Sequence, residues 1–331
     1  MKYIVHICFS LGLFGQNSLC RAFLRFHTPI KIVEKLRVGY ECIEGRNHHC
    51  LKNSFDEESA PESDSESFDV DIRSLEKLWN SKEMGAVPTN SKEGAEDVVK
   101  AARAALMEGK RGQIVDIQAP IFDPAHRVYD QEAFFDFIAT LVRGLTFAGN
   151  VRLITRDDSM SSGLQERMYF MNEGDMEGIG LSTFLGPEGT KSGMSEIEAV
   201  GKYASMLVEE GDNLFVVVLP SSMGELLGLR KVIELASGRP VLVLNPRMDM
   251  PPVEMRGYET VYAVLPFVVQ QQDQNNQEPP GQILLKKKYP ENWKLYISQQ
   301  GDEEEGYQYI NAFETRPSGE EIISLYLQMR S

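Results

Sequence analysis

The chain has only four cysteines, and Cys8, Cys20, Cys42 and Cys50 all lie in its first fifty residues. The rest of the sequence has none, so its folded part relies on neither a disulfide framework nor a thiol nucleophile. Basic residues are also scarce. Lys and Arg number 34 against 49 Asp and Glu, giving a formal charge of -15 over 331 residues. That balance argues against binding nucleic acid through its phosphates, which calls for clustered cations. Beyond the N-terminus no apolar run approaches the roughly 18 residues of a membrane span. GxSxG, HExxH and CxxC patterns are missing, and GPEGTKSG at 186–193 lacks the GxxxxGK[ST] spacing of a phosphate loop. No catalytic residue, metal or cofactor is therefore assigned, and a non-enzymatic role is favoured over an enzymatic one. His48 and His49 with Cys42 and Cys50 lack the second spaced pair of a zinc site.

Residues 1–20 have a short basic start, an apolar segment from Tyr3 to Phe14 and small or polar residues after it, the layout of a signal peptide. A buried first strand is the competing reading. Residues 21–55 open with five Lys or Arg between Arg21 and Arg37 against one acid, Glu34. A basic, acid-poor segment behind a signal peptide resembles the two-part presequence of plastids enclosed by extra membranes, with Ala22-Phe23 near the cleavage point. Secretion is the alternative address. Residues 56–86 begin as DEESAPESDSESFDVD, too polar to repay the entropy of ordering, and read as a linker.

Residues 87–331 read as one α/β domain. Its centre is 211–246, in which an apolar run (Leu214–Leu219), a Pro-Ser-Ser turn, a helical period and a second apolar run (Val241–Leu244) follow one another. Continuous apolar strands joined by a helix predict a sheet buried on both faces and a βαβ crossover. Around it the spacing predicts a helix through Val98, Ala102 and Ala105, and a strand at Gln113–Gln118. A helix capped by Asp130 follows, carrying Phe134, Phe137, Ile138, Leu141 and Leu145, then a strand at 150–154. LQERMYFM reads as a short helix, IGLSTFL as a strand and Ser192–Leu207 as a helix with Ile197 inward. TVYAVLPFVV reads as a strand interrupted or ended at Pro266. ILLKKKY, WKLYISQ and YQYINAFET predict antiparallel strands, closed by a helix over Glu320–Met329 capped by Ser318. The fold class is an open, mostly parallel sheet with helices on both faces, extended by C-terminal antiparallel strands and a terminal helix.

Open sheets of this class bind ligands at the carboxyl ends of their strands. The residues predicted to line that crevice are Asp116, Ser221, Ser222, Asn245 and Arg247. Ser221 and Ser222 precede a helix whose N–H groups suit an anion, with helix capping as the alternative. Arg247 can reach an anion, and Asn245 can bond neighbouring backbone. Lys286, Lys287 and Lys288 form a basic patch on an acidic chain, with Lys286 and Lys288 on one strand face and Lys287 on the other. With Trp293 they are candidates for a partner surface or peripheral membrane contact. A solvated edge strand and a packing role for Trp293 are the competing readings.

The blocks LFVVVLP, RPVLVLNPR, KKYPENWKLYI and FETRPSGEEI, with Arg239, Pro240, Asn245, Pro246, Arg247, Tyr289, Pro290, Trp293, Arg316, Pro317, Ser318, Glu320 and Glu321, resemble a plastid and cyanobacterial family. It is known as domain of unknown function 1995 and includes plant low photosystem II accumulation type assembly proteins. The resemblance runs from about Val87 to the end. It implies a plastid protein, in the stroma or peripheral at the thylakoid, that assists assembly, accumulation or maintenance of a photosynthetic complex. Its implied partners are photosystem proteins or other assembly factors. The alternatives are a stably bound accessory subunit, or a domain that binds or converts a small molecule or phosphometabolite in the crevice. One family member is fused behind an adenylate kinase, whose phosphate loop has no counterpart here.

Overall fold

A computed structural model describes residues 3–6, 90–171, 173–186, 194–248, 251–271, 281–299 and 306–330. The presequence-like segment beyond Tyr3–His6, the acidic linker and the His48–Cys50 cluster lie outside the described residues. So do 187–193 of the glycine-rich stretch, 272–280 of the Gln/Asn loop and the DEEE turn.

In chain order the elements are β1 (Tyr3–His6), α1 (Ser91–Met107), β2 (Gly112–Ile117), α2 (Gln131–Leu145), β3 (Val151–Thr155), α3 (Asp158–Met171), β4 (Ile179–Thr183) and α4 (Glu196–Tyr203). They continue with β5 (Leu214–Val218), α5 (Met223–Ala236), β6 (Val241–Leu244), β7 (Glu259–Gln271), β8 (Gly281–Lys288), β9 (Trp293–Gln299), β10 (Gly306–Phe313) and α6 (Gly319–Arg330). The sheet order is β10-β9-β8-β7-β2-β6-β5-β3-β4, with β1 antiparallel to the far end of β7. The strands from β7 to β4 run parallel, and those from β7 to β10 are antiparallel. This is the open, mostly parallel architecture with an antiparallel extension and terminal helix that the alternation of strands and helices predicts.

The central strands are apolar without interruption because both of their faces are covered. Val216 and Val218 of β5 enter one core with α1, α2 and α3, while Phe215 and Val217 enter the other with α4 and α5. The α2 stripe, Phe134, Phe137, Ile138, Leu141 and Leu145, is fully buried, and each such side chain contributes about 1.5–3 kcal/mol of burial. Beyond β2, Ile322 and Tyr326 of α6 cover Ala263, Leu265, Ile283, Leu285 and Trp293. Strand alternation places this third cluster on the same sheet face as α4 and α5, leaving a seam over β2 between them.

Several local expectations need correction. Pro266 does not end its strand. It pairs with Leu284 of β8, while on the other side β2 pairs no farther than Val264 and β1 begins at Val268. The missing N–H thus falls where β7 has no ladder partner on that side among the described residues. LQERMYFM is only the later part of α3. Helix α4 starts at Glu196 behind a Ser195–Glu198 capping box, which turns Ile197 outward to 54% exposure. Strand β8, finally, is not an edge. It lies between β7 and β9, and that position changes the meaning of its three lysines.

Candidate functional site

The strand order makes two places where connections leave neighbouring strands in opposite directions. From β3 the chain moves outward to β4, while from adjacent β5 it moves back to β6. From β2 it crosses to β3, while from adjacent β6 it crosses to β7. In both pairs the two connections also pass over opposite faces of the sheet, those after β2 and β3 through α2 and α3 in one core and those after β5 and β6 through α5 and Met255 in the other, the arrangement that ordinarily opens a crevice at the carboxyl ends. The predicted crevice residues divide between these two corners.

At the β3/β5 corner Ser221 and Ser222 stand at the start of α5. Their backbone N–H groups both donate to Glu225 Oε2 at 2.7 Å, and Ser221 Oγ reaches the same oxygen at 3.0 Å. Ser222 Oγ accepts from Glu225 N at 3.1 Å, completing a capping box. Glu225 is buried, and Arg156, just after β3, approaches its other oxygen at 3.6 Å while pairing with Glu196 at 2.8 Å. The amides read as able to hold an anion already hold the chain's own carboxylate.

The β2/β6 corner is arranged differently. Asn245 ends β6 in the left-handed region at φ 48°, which asparagine tolerates better than most residues. Its N–H donates to Val115 O and its Oδ1 accepts from Ile117 N, both at 2.7 Å, tying β6 to β2. Its Nδ2 is buried and has no hydrogen-bond partner among the described residues. Arg247 donates from its backbone to Pro220 O at 3.0 Å and pairs with buried Asp123 at 2.5 Å.

Asp116 projects from β2 into the seam. Burial pushes its carboxyl above the ordinary range, against the opposing pull of Arg316, a hydrogen bond from Gln118 and Arg247. Asp116 lies opposite Ala263, and Ala263 opposite Lys287. The β8–β9 register, with Lys286 opposite Lys294, brings Trp293 into that row. Arg316 sits over the Trp293 ring at 5.8 Å. Thus the arginines of the Asn-Pro-Arg and Arg-Pro-Ser blocks act on one carboxylate, and the Trp of the Tyr-Pro-x-x-Trp block lies under one of them.

The lysines are not an exposed patch. Lys286 and Lys287 are 8% and 6% exposed, and burial pushes both ammonium groups below their ordinary range. Lys287 donates to Glu291 O at 2.7 Å, and Lys288 pairs with Asp97 of α1 at 2.8 Å. The alternation of faces holds, but a central strand buries what an edge strand would expose. Trp293 is 5% exposed and packs with α6. Neither Lys286, Lys287 nor Trp293 offers a ready partner surface. An open groove of about 700 Å³ between α1 and α2, lined partly by Lys92, Lys100, Thr140 and Arg143, contains no predicted site residue.

Arg316, Gln118 and Glu225 were not singled out as site residues from the sequence. The capping spacing Ser-x-x-Glu was the available signal for Glu225. For Arg316 the family block marked the residue but not its neighbours. Among the described residues no group of three or more His, Cys, Asp or Glu is placed to hold a metal ion, and no helix is long and apolar enough to cross a membrane. A search of curated proteins finds no match. Residues 88–324, covering the strands and helices of both corners, match the model described as domain of unknown function (DUF1995), and the chain belongs to that family.

Proposed function

We propose that this is a non-enzymatic plastid protein, of the low photosystem II accumulation type, that assists assembly, accumulation or maintenance of a photosynthetic complex. The observation that carries this reading is the family match across 88–324. The signal-peptide-like and basic segments before the domain support delivery to a plastid. Its place is the stroma or the thylakoid surface. Gentle solubilisation and affinity purification of the tagged chain from plastids recovers photosystem or assembly subunits on this reading. Recovery of none sinks it. Stoichiometric retention in the mature complex identifies a permanent accessory subunit instead of a transient factor.

A second reading, a small-molecule-binding domain, is favoured by one specific feature. Asp116, Asn245, Arg247 and Arg316 gather at a switch-point crevice, where an open α/β sheet ordinarily receives a ligand. A ligand that binds only the folded state raises its unfolding temperature by an amount that grows with the logarithm of ligand concentration above Kd. A phosphometabolite screen of the full chain therefore gives a concentration-dependent thermal shift. No shift with any compound counts against this second reading and leaves the first in place.

A further inference from the structure

Resting on that second reading, we infer that the β2/β6 corner is a binding site for a small oxyanion, a phosphoryl or carboxylate group, held by Arg316 and Asn245 beside Arg247. In this assignment Asp116 is the resident counter-ion that such a ligand displaces.

Three observations, on the segments that follow β6 and β10, support this. Arg316 is exposed, and among the described residues its guanidinium makes no hydrogen bond and no ion pair within 4 Å. It is positioned instead by the face of Trp293 at 5.8 Å. A planar fork of donors, steadied over an aromatic ring and otherwise uncommitted, matches two oxygens of a phosphate or carboxylate. Asn245 supplies the second. The residue is 3% exposed, its Oδ1 accepts from Ile117 N at 2.7 Å, and among the described residues its Nδ2 is an unpaired donor. A buried donor left without an acceptor is costly, and an oxyanion at this strand end provides the acceptor. The third is Arg247, fixed by Asp123 at 2.5 Å and by its own N–H to Pro220 O at 3.0 Å. Asp123 balances one of the two guanidinium charges, leaving Asp116 to balance the other.

Asp116 belongs to the same site. It is half-buried in the seam, with Ala263 beside it in the row, and Lys287, the next in the row before Trp293 and Arg316, is turned to Glu291 O at 2.7 Å. A carboxylate in that position occupies the field that an incoming oxyanion would use. The β3/β5 corner shows the same device in completed form, with Glu225 filling the N-terminal amides of α5. There the carboxylate is hydrogen-bonded by backbone and hydroxyl groups. At Asp116 a single side-chain amide, Gln118, and the two arginines are the groups acting on it.

The test uses the full chain and two probes, inorganic phosphate and citrate, titrated calorimetrically into wild type, Asp116→Asn and Arg316→Gln, each checked for native circular dichroism. Saturable binding of either probe, weakened at least 10-fold by Arg316→Gln and strengthened several-fold by Asp116→Asn, is the expected result. Phosphate binding identifies a phosphoryl site and citrate binding a carboxylate site. Arg316 is exposed, so its replacement leaves the fold intact. Arg247, which neutralises buried Asp123, is not used as the test variant. Absence of saturable binding in both wild type and Asp116→Asn overturns the assignment, as does binding unchanged by Arg316→Gln. A thermal shift produced only by neutral or cationic compounds also overturns it while sparing the broader small-molecule reading.

Discussion

The two switch-point corners of this sheet have similar positions and opposite states. At the β3/β5 corner, two backbone N–H groups and a hydroxyl converge on Glu225, with Arg156 on its far side. At the β2/β6 corner, Asn245 keeps an unpaired donor and Arg316 an unpaired guanidinium among the described residues, around a carboxylate that burial disfavours. The first corner spends its polar groups on holding the fold. The second retains hydrogen-bonding capacity that the fold does not use, which is where a ligand has something to gain.

That contrast is best broken by substitution at each corner, taken from the largest effect on stability to the smallest. Glu225→Ala orphans two backbone donors and removes a capping box together with the carboxylate facing Arg156, and destabilises by about 3 kcal/mol in denaturant unfolding. A loss below about 1 kcal/mol would mean that the closed corner is not what holds the start of α5. Asn245→Ala leaves Ile117 N–H buried without its acceptor and places alanine at φ 48°, for a loss of about 2 kcal/mol. Equal losses for the two variants would erase the distinction between a fully satisfied corner and a partly satisfied one.

Asp116→Asn should act in the other direction. Because burial raises its carboxyl pKa in the folded protein, the folded state binds the proton more tightly than the unfolded chain. Ionised Asp116 therefore costs stability at neutral pH. The cost is relieved as pH falls through the raised folded value toward the ordinary carboxyl range. Unfolding curves should show Asp116→Asn more stable than wild type at pH 7, with the gap closing on acidification through that window. A gap that widens on acidification has the wrong sign for a desolvated acid. The smallest effect belongs to Arg316→Gln. The side chain is exposed and bonds to no described residue, so stability changes by less than about 0.5 kcal/mol. A loss of several kcal/mol would make Arg316 a structural residue.

How much of this was legible beforehand differs between fold and site for a physical reason. Leu214–Val218 and Val241–Leu244 are apolar at every position, and the α2 stripe repeats at helical spacing, so local pattern alone announces doubly covered strands and a core helix. The order of those strands is a matter of pairing and has no comparable local signature. Lys286, Lys287 and Lys288 illustrate the gap. Their alternation between faces follows from the period of a strand, but whether β8 lies at an edge depends on β9 and β10 forming beyond it. Asp116, Asn245 and Arg247 could be singled out because each lies at or near the carboxyl end of a predicted parallel strand. Arg316 lies on an irregular stretch between β10 and α6, far along the chain, and only the folded sheet brings it over Trp293. Ser221 and Ser222 were grouped with the same crevice because neighbouring strand ends cannot be told apart before the strand order is known.

The most direct measurement uses Trp293 as its own reporter. The chain has two tryptophans, Trp79 and Trp293, so a Trp79→Phe background leaves the indole beneath Arg316 as the sole source of tryptophan emission. Titrating phosphate and citrate into that protein should change the emission saturably for at least one of them. The response should disappear in Arg316→Gln and sharpen in Asp116→Asn. Emission indifferent to both anions, in a protein that remains folded, would contradict the claim that the β2/β6 corner is the site left open for a ligand.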